Sequence, residues 1–411
     1  MYRVTPFLVT FAWALLAGSA FASLWLNLSP AGYYDAVEWR LMDLPLPVWL
    51  ATTEPSLTPV NLTSDVLMAL FLFVLGKELW EALVLERLRL HGRQALMPLT
   101  ALAGGLAGAA AMWLLLSARF ETAEEAVPGG GWAVPLGCDV VLAYVVGRAV
   151  LGPGSPALHV LLLVTIGADI AGLLAVGLSR PEAPLRLLWL LVPLLASLGV
   201  WWRFGRKASA GASEVERRRA LRIWPYVLAG LASWVGVAAA GLPPALGLLP
   251  IIPAIPHSDR TFGLFAEAEG FLTDPLNRVA HLMIRPLVAV LFLYGLTHGG
   301  IDLAAWAPTT PITLGALWLG KPLGIVLGGL VLAPALGLPR PKGITRRDVV
   351  LIAGISGMGF SVPVLAIDHA LPGGAMQSAA RLGLALSLAA GPALIVLARL
   401  LPPGRKPRDR R

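Results

Sequence analysis

Apolar residues run along this chain in unbroken blocks of about twenty, and charged residues punctuate the blocks. A helix rises about 1.5 Å per residue, so about 20 residues cross a hydrocarbon core. The alternation of apolar and polar positions that a membrane barrel needs is missing. The blocks predict twelve helices, at about 7–29, 62–85, 95–117, 126–147, 156–178, 186–203, 222–239, 242–256, 279–299, 308–333, 349–368 and 381–400. The seventh and eighth share an uncharged run, Ile223–Ser258, which divides best at Gly241-Leu-Pro-Pro244. No soluble domain is expected, because the longest polar stretch is the acidic 30–61 loop. The uncharged stretch Val4–Tyr34 has no small-residue cleavage site and reads as a retained helix, not a signal peptide.

Composition agrees. The chain is 57% hydrophobic and 14% charged, against roughly 25% charged in globular domains. That excludes an ordinary soluble enzyme and a disordered chain, and the single Cys138 excludes an intrachain disulfide. The net charge of +8 is explained by position. Arg87, Arg89 and Arg93 lie in one loop; Arg203, Arg206, Lys207, Arg217, Arg218, Arg219 and Arg222 in another; Arg340, Lys342, Arg346 and Arg347 in a third; the tail 404–411 is also basic. The loops between them are acidic or nearly uncharged. Twelve spans with both termini cytoplasmic satisfy the positive-inside rule, so the basic runs anchor topology and imply no nucleic acid. No phosphate-binding loop occurs, which disfavours ATP-driven pumping.

Three ionisable residues lie deep in apolar blocks. Asp139, Asp169 and Lys321 are each thirteen residues into spans four, five and ten, which is about 20 Å of helix. A charge at that depth costs at least ~2.5–3.5 kcal/mol. Three at one depth suggest mutual pairing around a wet cavity that serves a cation and protons. A salt bridge that only staples helices is the plainer alternative, but apolar packing usually does that as well. Pro135 and Gly137 before Asp139 interrupt span four. Gly354, Gly357 and Gly359 before Phe360-Ser361, with Pro363 beyond, interrupt span eleven. Two broken spans in corresponding places predict an all-α integral membrane protein with inverted three-helix repeats, its broken helices crossing near the midplane.

These residues resemble the NhaA-type sodium/proton antiporter family. Gly320-Lys-Pro-Leu-Gly-Ile325 is similar to the family's span-ten motif, Gly131-Trp-Ala-Val-Pro135 followed by Asp139 to its broken span four, and Gly357-Met-Gly-Phe-Ser361 to its span-eleven break. Asp65 and Gly76-Lys-Glu-Leu-Trp-Glu81 resemble span two, so the likeness runs from Asp65 to Phe360. It implies exchange of Na+ (or Li+) for H+ across a bacterial inner membrane, with no cofactor and the bilayer as partner. It also allows a homodimer, which no residue here specifies. Asp169 would carry the ion, Asp139 would support the site, and Lys321 would balance charge and orient the broken helices. Pro135, Cys138, Gly357, Gly359 and Ser361 would shape the breaks. Glu78 and Glu81, at the cytoplasmic end of span two, would respond to pH; an interfacial ion-pair cluster with Lys77 is the alternative. The core bundle would be about 95–178 and 308–400, the remaining helices about 7–85 and 186–299, and 401–411 a basic cytoplasmic tail.

The chain departs from the family at its centre. Span five usually has two adjacent aspartates; here Ala168 occupies the first place and Asp169 the second. Cys138 replaces a threonine, and His298 lies near a family asparagine. His257, His281 and His298 do not cluster as metal ligands. Losing one carboxylate implies fewer protons per cycle, about one-for-one. Whether Lys321, without its usual partner, becomes a proton carrier is open at this point. An aspartic protease is disfavoured, since a nearby lysine opposes proton sharing and Leu136-Gly-Cys-Asp139 lacks the protease signature. An organic-anion carrier using Lys321 and a non-transporting sensor are the other readings.

Overall fold

The computed structural model describes residues 7–43, 56–81, 96–120, 129–179, 185–205, 215, 219–256 and 275–400. His257, the tail 401–411 and the loop residues Arg87, Arg89, Arg93, Arg206, Lys207, Arg217 and Arg218 used for the topology lie outside the described residues.

In chain order the helices are α1 (Leu8–Leu28), α2 (Pro30–Val37), α3 (Pro59–Trp80), α4 (Leu96–Phe120), α5 (Val140–Leu151), α6 (Pro156–Leu178), α7 (Leu187–Arg203), α8 (Trp224–Ala239), α9 (Pro275–His298), α10 (Thr309–Ala335), α11 (Arg346–Ile355), α12 (Ser361–Ala370) and α13 (Ala375–Leu400). A 3-10 helix, Gly129–Leu136, precedes α5, and 3-10 turns occupy Pro244–Ala254. Among the described residues, eight stretches are long and apolar enough to cross a membrane, and three more apolar helices are shorter. Large apolar side chains such as Leu188, Leu195, Trp202, Leu282 and Leu327 are exposed along them, as lipid-facing residues must be and as a soluble surface could not tolerate. The protein is an all-helical membrane protein; among the described residues the one exception is a small pairing of Met42 and Asp43 with Leu57 and Ser56.

Two expectations are corrected. The 30–61 stretch is not only loop, since Pro30 starts the short helix α2, where proline needs no hydrogen bond. The expected helix at 242–256 is 3-10 turns, because Pro244, Pro250 and Pro253 remove the donors a longer α-helix would use.

The chain forms two compact units. The first comprises 1–18, 31–85 and 181–297. In it Tyr33 donates to the carbonyls of Leu296 (3.0 Å) and Thr297 (3.1 Å), which fixes α2 on the end of α9. Leu62–Leu67, at the start of α3, is a π-helical stretch, and Trp234 on α8 donates to the Asp65 carbonyl (2.8 Å).

The second unit comprises 19–30, 86–180 and 298–411. Its central contact is α4 against α10. Gly104 and Gly108 face Gly320, Gly324 and Gly328, and a Cβ on Gly104 or Gly324 would overlap the carbonyl oxygen of the other. Four-residue glycine spacing on both helices lets the backbones touch. Lys321 begins a six-residue α-helical stretch of α10, between the π-helical turns Ala316–Gly320 and Leu327–Leu332. Pro322 has no N–H to give to the preceding turn, a local reason for the first of these.

Candidate functional site

The second unit brings together every residue expected at the breaks. Span four stops being helical after Leu136, resumes at Val140, and leaves Gly137, Cys138 and Asp139 irregular. Asp139 is the N-cap of α5: its Oδ1 accepts from the Leu142 N–H at 2.7 Å. This is what a short carboxylate does at a helix start, where the first N–H groups have no helical partner. Span eleven is opened by the Thr345–Asp348 capping box at the start of α11 and breaks over 356–360 before α12. At Gly357 a Cβ would come within 2.7 Å of the Leu317 carbonyl oxygen, so a side chain there would push α10 away.

The two breaks are joined through Asp139. Its N–H donates to the Met358 carbonyl (3.0 Å), and its Oδ2 accepts from the Ser361 N–H (3.0 Å). The carboxylate thus lies at the N-termini of both α5 and α12, the positive ends of two helix dipoles. It is fully buried, and both oxygens are engaged.

Lys321 does the opposite job. Its Nζ donates to the carbonyls of Pro135 (3.2 Å), Leu136 (2.7 Å) and Gly137, the C-terminal end of the 3-10 helix. Unmet carbonyls gather there, and a cation suits them. The expected pairing of Lys321 with the aspartates is therefore corrected. Lys321 makes no ion pair with a carboxylate among the described residues; it spends its three donors on backbone. With Ala168 in place of an acid, the nearest demand for its charge is a helix end.

Asp169, on α6, is also fully buried. Its Oδ1 accepts from the Cys138 N–H at 2.6 Å, while its Oδ2 has no hydrogen-bond partner. Of the three deep charged groups it alone has an open coordination position. The Cys138 thiol is buried, is in no disulfide, and lies close enough to Lys321 to interact with it.

Over this architecture, the family model for Na+/H+ antiporter 1 matches residues 9–397. The chain belongs to that family. It is 36% identical to the Na+/H+ antiporter NhaA of Jannaschia sp. (strain CCS1), over 97% of this chain and 98% of that one. It is 33% identical to the Na+/H+ antiporter NhaA 2 of Pelobacter propionicus, over 95% and 96%. Among solved structures, the sodium proton antiporter MjNhaP1 from Methanocaldococcus jannaschii aligns over 97% of this chain and 100% of its own at 14% identity and a TM-score of 0.42, a likeness too slight to argue from. The family is one of transporters, not enzymes, and its match extends beyond the Asp65–Phe360 stretch that motifs alone identify.

Two structural features of the second unit escaped the motifs. The Gly104/Gly108 and Gly320/Gly324/Gly328 seam that positions Lys321 was legible as four-residue spacing. Ser387, buried on α13, contacts the span-eleven break and had no sequence signal. Glu78 and Glu81 belong to the first unit, where they flank the buried Lys77 at 3.4 and 2.9 Å. His281 is exposed and His298 is buried at the end of α9.

Proposed function

We propose that this antiporter exchanges Na+ (or Li+) for H+ one-for-one across a bacterial inner membrane, with Asp169 as the exchanging group. One observation carries this: Asp169 is buried with one oxygen satisfied by an amide and the other open. A buried carboxylate with an unmet oxygen is costly, and either a proton or a small hard cation relieves it. The two therefore compete for one place. Asp139 has both oxygens engaged by helix N-termini, and it holds the breaks together. Lys321 needs its full ammonium complement of donors for three carbonyls, which argues against its acting as a second proton carrier.

Loaded with either a cation or a proton, Asp169 is neutral. Neither half of the cycle then moves net charge relative to the other, and exchange is electroneutral. We further assign twelve crossings: the eight long stretches, the three shorter apolar helices, and α11 with α12 as one broken span. On this assignment the spans of 96–178 and 309–400 form two inverted three-helix repeats, each broken in its middle member, and constitute the core bundle. Both termini are cytoplasmic by the loop charges, and Glu78 and Glu81 contribute to the pH response.

Purified protein in weak buffer should release protons when Na+ is added. Asp169→Asn should abolish the release and Na+-driven exchange in proteoliposomes, with the folded yield unchanged. Exchange that survives this substitution refutes the assignment.

A further inference from the structure

The segment between α11 and α12 presents a problem that its own residues do not solve. Gly359 lies outside both helices, so its N–H and C=O have no helical partners. An unmet peptide group in an apolar interior costs several kcal/mol. The groups are met from α13. The Gly359 N–H donates to the Ser387 hydroxyl at 3.1 Å, and that hydroxyl is 3.2 Å from the Gly359 carbonyl. Its single proton is shared between this carbonyl and that of Leu384, at 2.6 Å, one turn back on its own helix. Ser387 is fully buried, and its own carbonyl accepts from the Trp318 Nε1 at 3.1 Å, in the π-helical turn just before Lys321.

The break is thus pinned at three successive points. The Met358 carbonyl receives the Asp139 N–H, Gly359 is held by Ser387, and the Ser361 N–H meets the Asp139 Oδ2. The first and third pins both belong to Asp139. Only the middle one fixes the segment to something else, and so decides where Asp139 finds its donors. Asp139 in turn adjoins Cys138, whose N–H holds the Asp169 Oδ1.

We propose that Ser387 is a positioning residue of the exchange site: its hydroxyl holds the Gly359 peptide, and thereby keeps the Ser361 N–H on Asp139 and the Cys138 N–H on Asp169. This rests on the reading of Asp169 as the exchanging group.

The test uses the full chain in proteoliposomes. Apparent Na+ affinity is read from exchange rates and, independently of turnover, from Na+-dependent thermal stabilisation. Ser387→Ala should raise the apparent KM for Na+ about three- to tenfold, the equivalent of about one hydrogen bond, and leave the maximal rate within about twofold. Ser387→Thr, which keeps the hydroxyl, should restore most of the affinity. In an Asp139→Asn background, Ser387→Ala should add much less than it does alone, because the two changes loosen one unit. A role in folding alone would lower yield and thermal midpoint and leave the affinity unmoved. Unchanged affinity in Ser387→Ala overturns the proposal, as do equal losses in the Ala and Thr variants or additivity with Asp139→Asn. Exchange that persists in Asp169→Asn condemns the underlying site assignment instead, whatever Ser387 does.

Discussion

Replacing Lys321 by methionine keeps the length and apolar stem of the side chain and removes every donor. The carbonyls of Pro135, Leu136 and Gly137 then face a buried thioether. Each stranded acceptor costs about 1–3 kcal/mol. Summed over three, the lower part of that range gives ~3–5 kcal/mol. With an unfolding entropy of about 2.1 cal/mol/K per residue over 411 residues, the midpoint should fall by about 3–6 °C in detergent, followed by tryptophan fluorescence. The informative control is Asp169→Asn. An asparagine oxygen still accepts from the Cys138 N–H, while a buried charge with an unmet oxygen disappears. That variant should be as stable as the parent or more so. The two substitutions therefore have opposite signs if Lys321 caps a helix end. If Lys321 and Asp169 were instead an ion pair, removing either partner would strand the other, and both variants would lose stability alike. Equal losses refute the helix-end account.

Two further outcomes follow from the same geometry. An imposed membrane potential should leave the wild-type exchange rate unchanged in proteoliposomes, and Ala168→Asp should make the rate respond to voltage; a voltage-driven wild type that becomes neutral in Lys321→Gln would make the lysine a carrier after all. Gly324→Val should abolish folded protein in the membrane, because its side chain meets the Gly104 backbone, while Gly199→Ala, with open space around it, should leave the yield unchanged; a well-folded Gly324→Val would show that the glycine seam does not set the α4–α10 approach.

The deep charges were legible because an apolar block makes any charge conspicuous. Asp139, Asp169 and Lys321 needed only their depth, and the breaks needed only Pro135 and the glycines around Phe360. What could not be read was who satisfies whom. Charges on a sequence invite pairing with other charges, yet Lys321 is met by carbonyl oxygens, which every residue carries and no letter distinguishes. Ser387 is one serine in an apolar helix; only its approach to Gly359 separates it from a serine bonded to its own turn. The α2 helix was hidden for a related reason. The 30–61 stretch reads as an acidic loop, and the anchor that makes the helix worthwhile, Tyr33 on the Leu296 and Thr297 carbonyls, is remote in sequence.

A broken helix creates its own electrostatic requirement, whatever the ion does. Cutting a helix inside an apolar layer exposes unmet N–H groups on one side and unmet C=O groups on the other, and no solvent is at hand to take them. A carboxylate suits the first kind of end and an ammonium the second, since an ammonium offers three donors to an end with several acceptors. An ammonium at this depth costs at least ~2.5–3.5 kcal/mol, so it needs a local reason to be there. A carboxylate at position 168 would be one reason, and that position is alanine. The end of the Gly129–Leu136 helix is another, sufficient by itself. The helix end thus gives the lysine a reason to be there in a chain with no carboxylate at position 168. By the same reasoning Asp139 belongs to the two helix starts. Subtracting both leaves Asp169 as the one deep charged group whose presence no helix end explains, and it is the group with an oxygen left to offer.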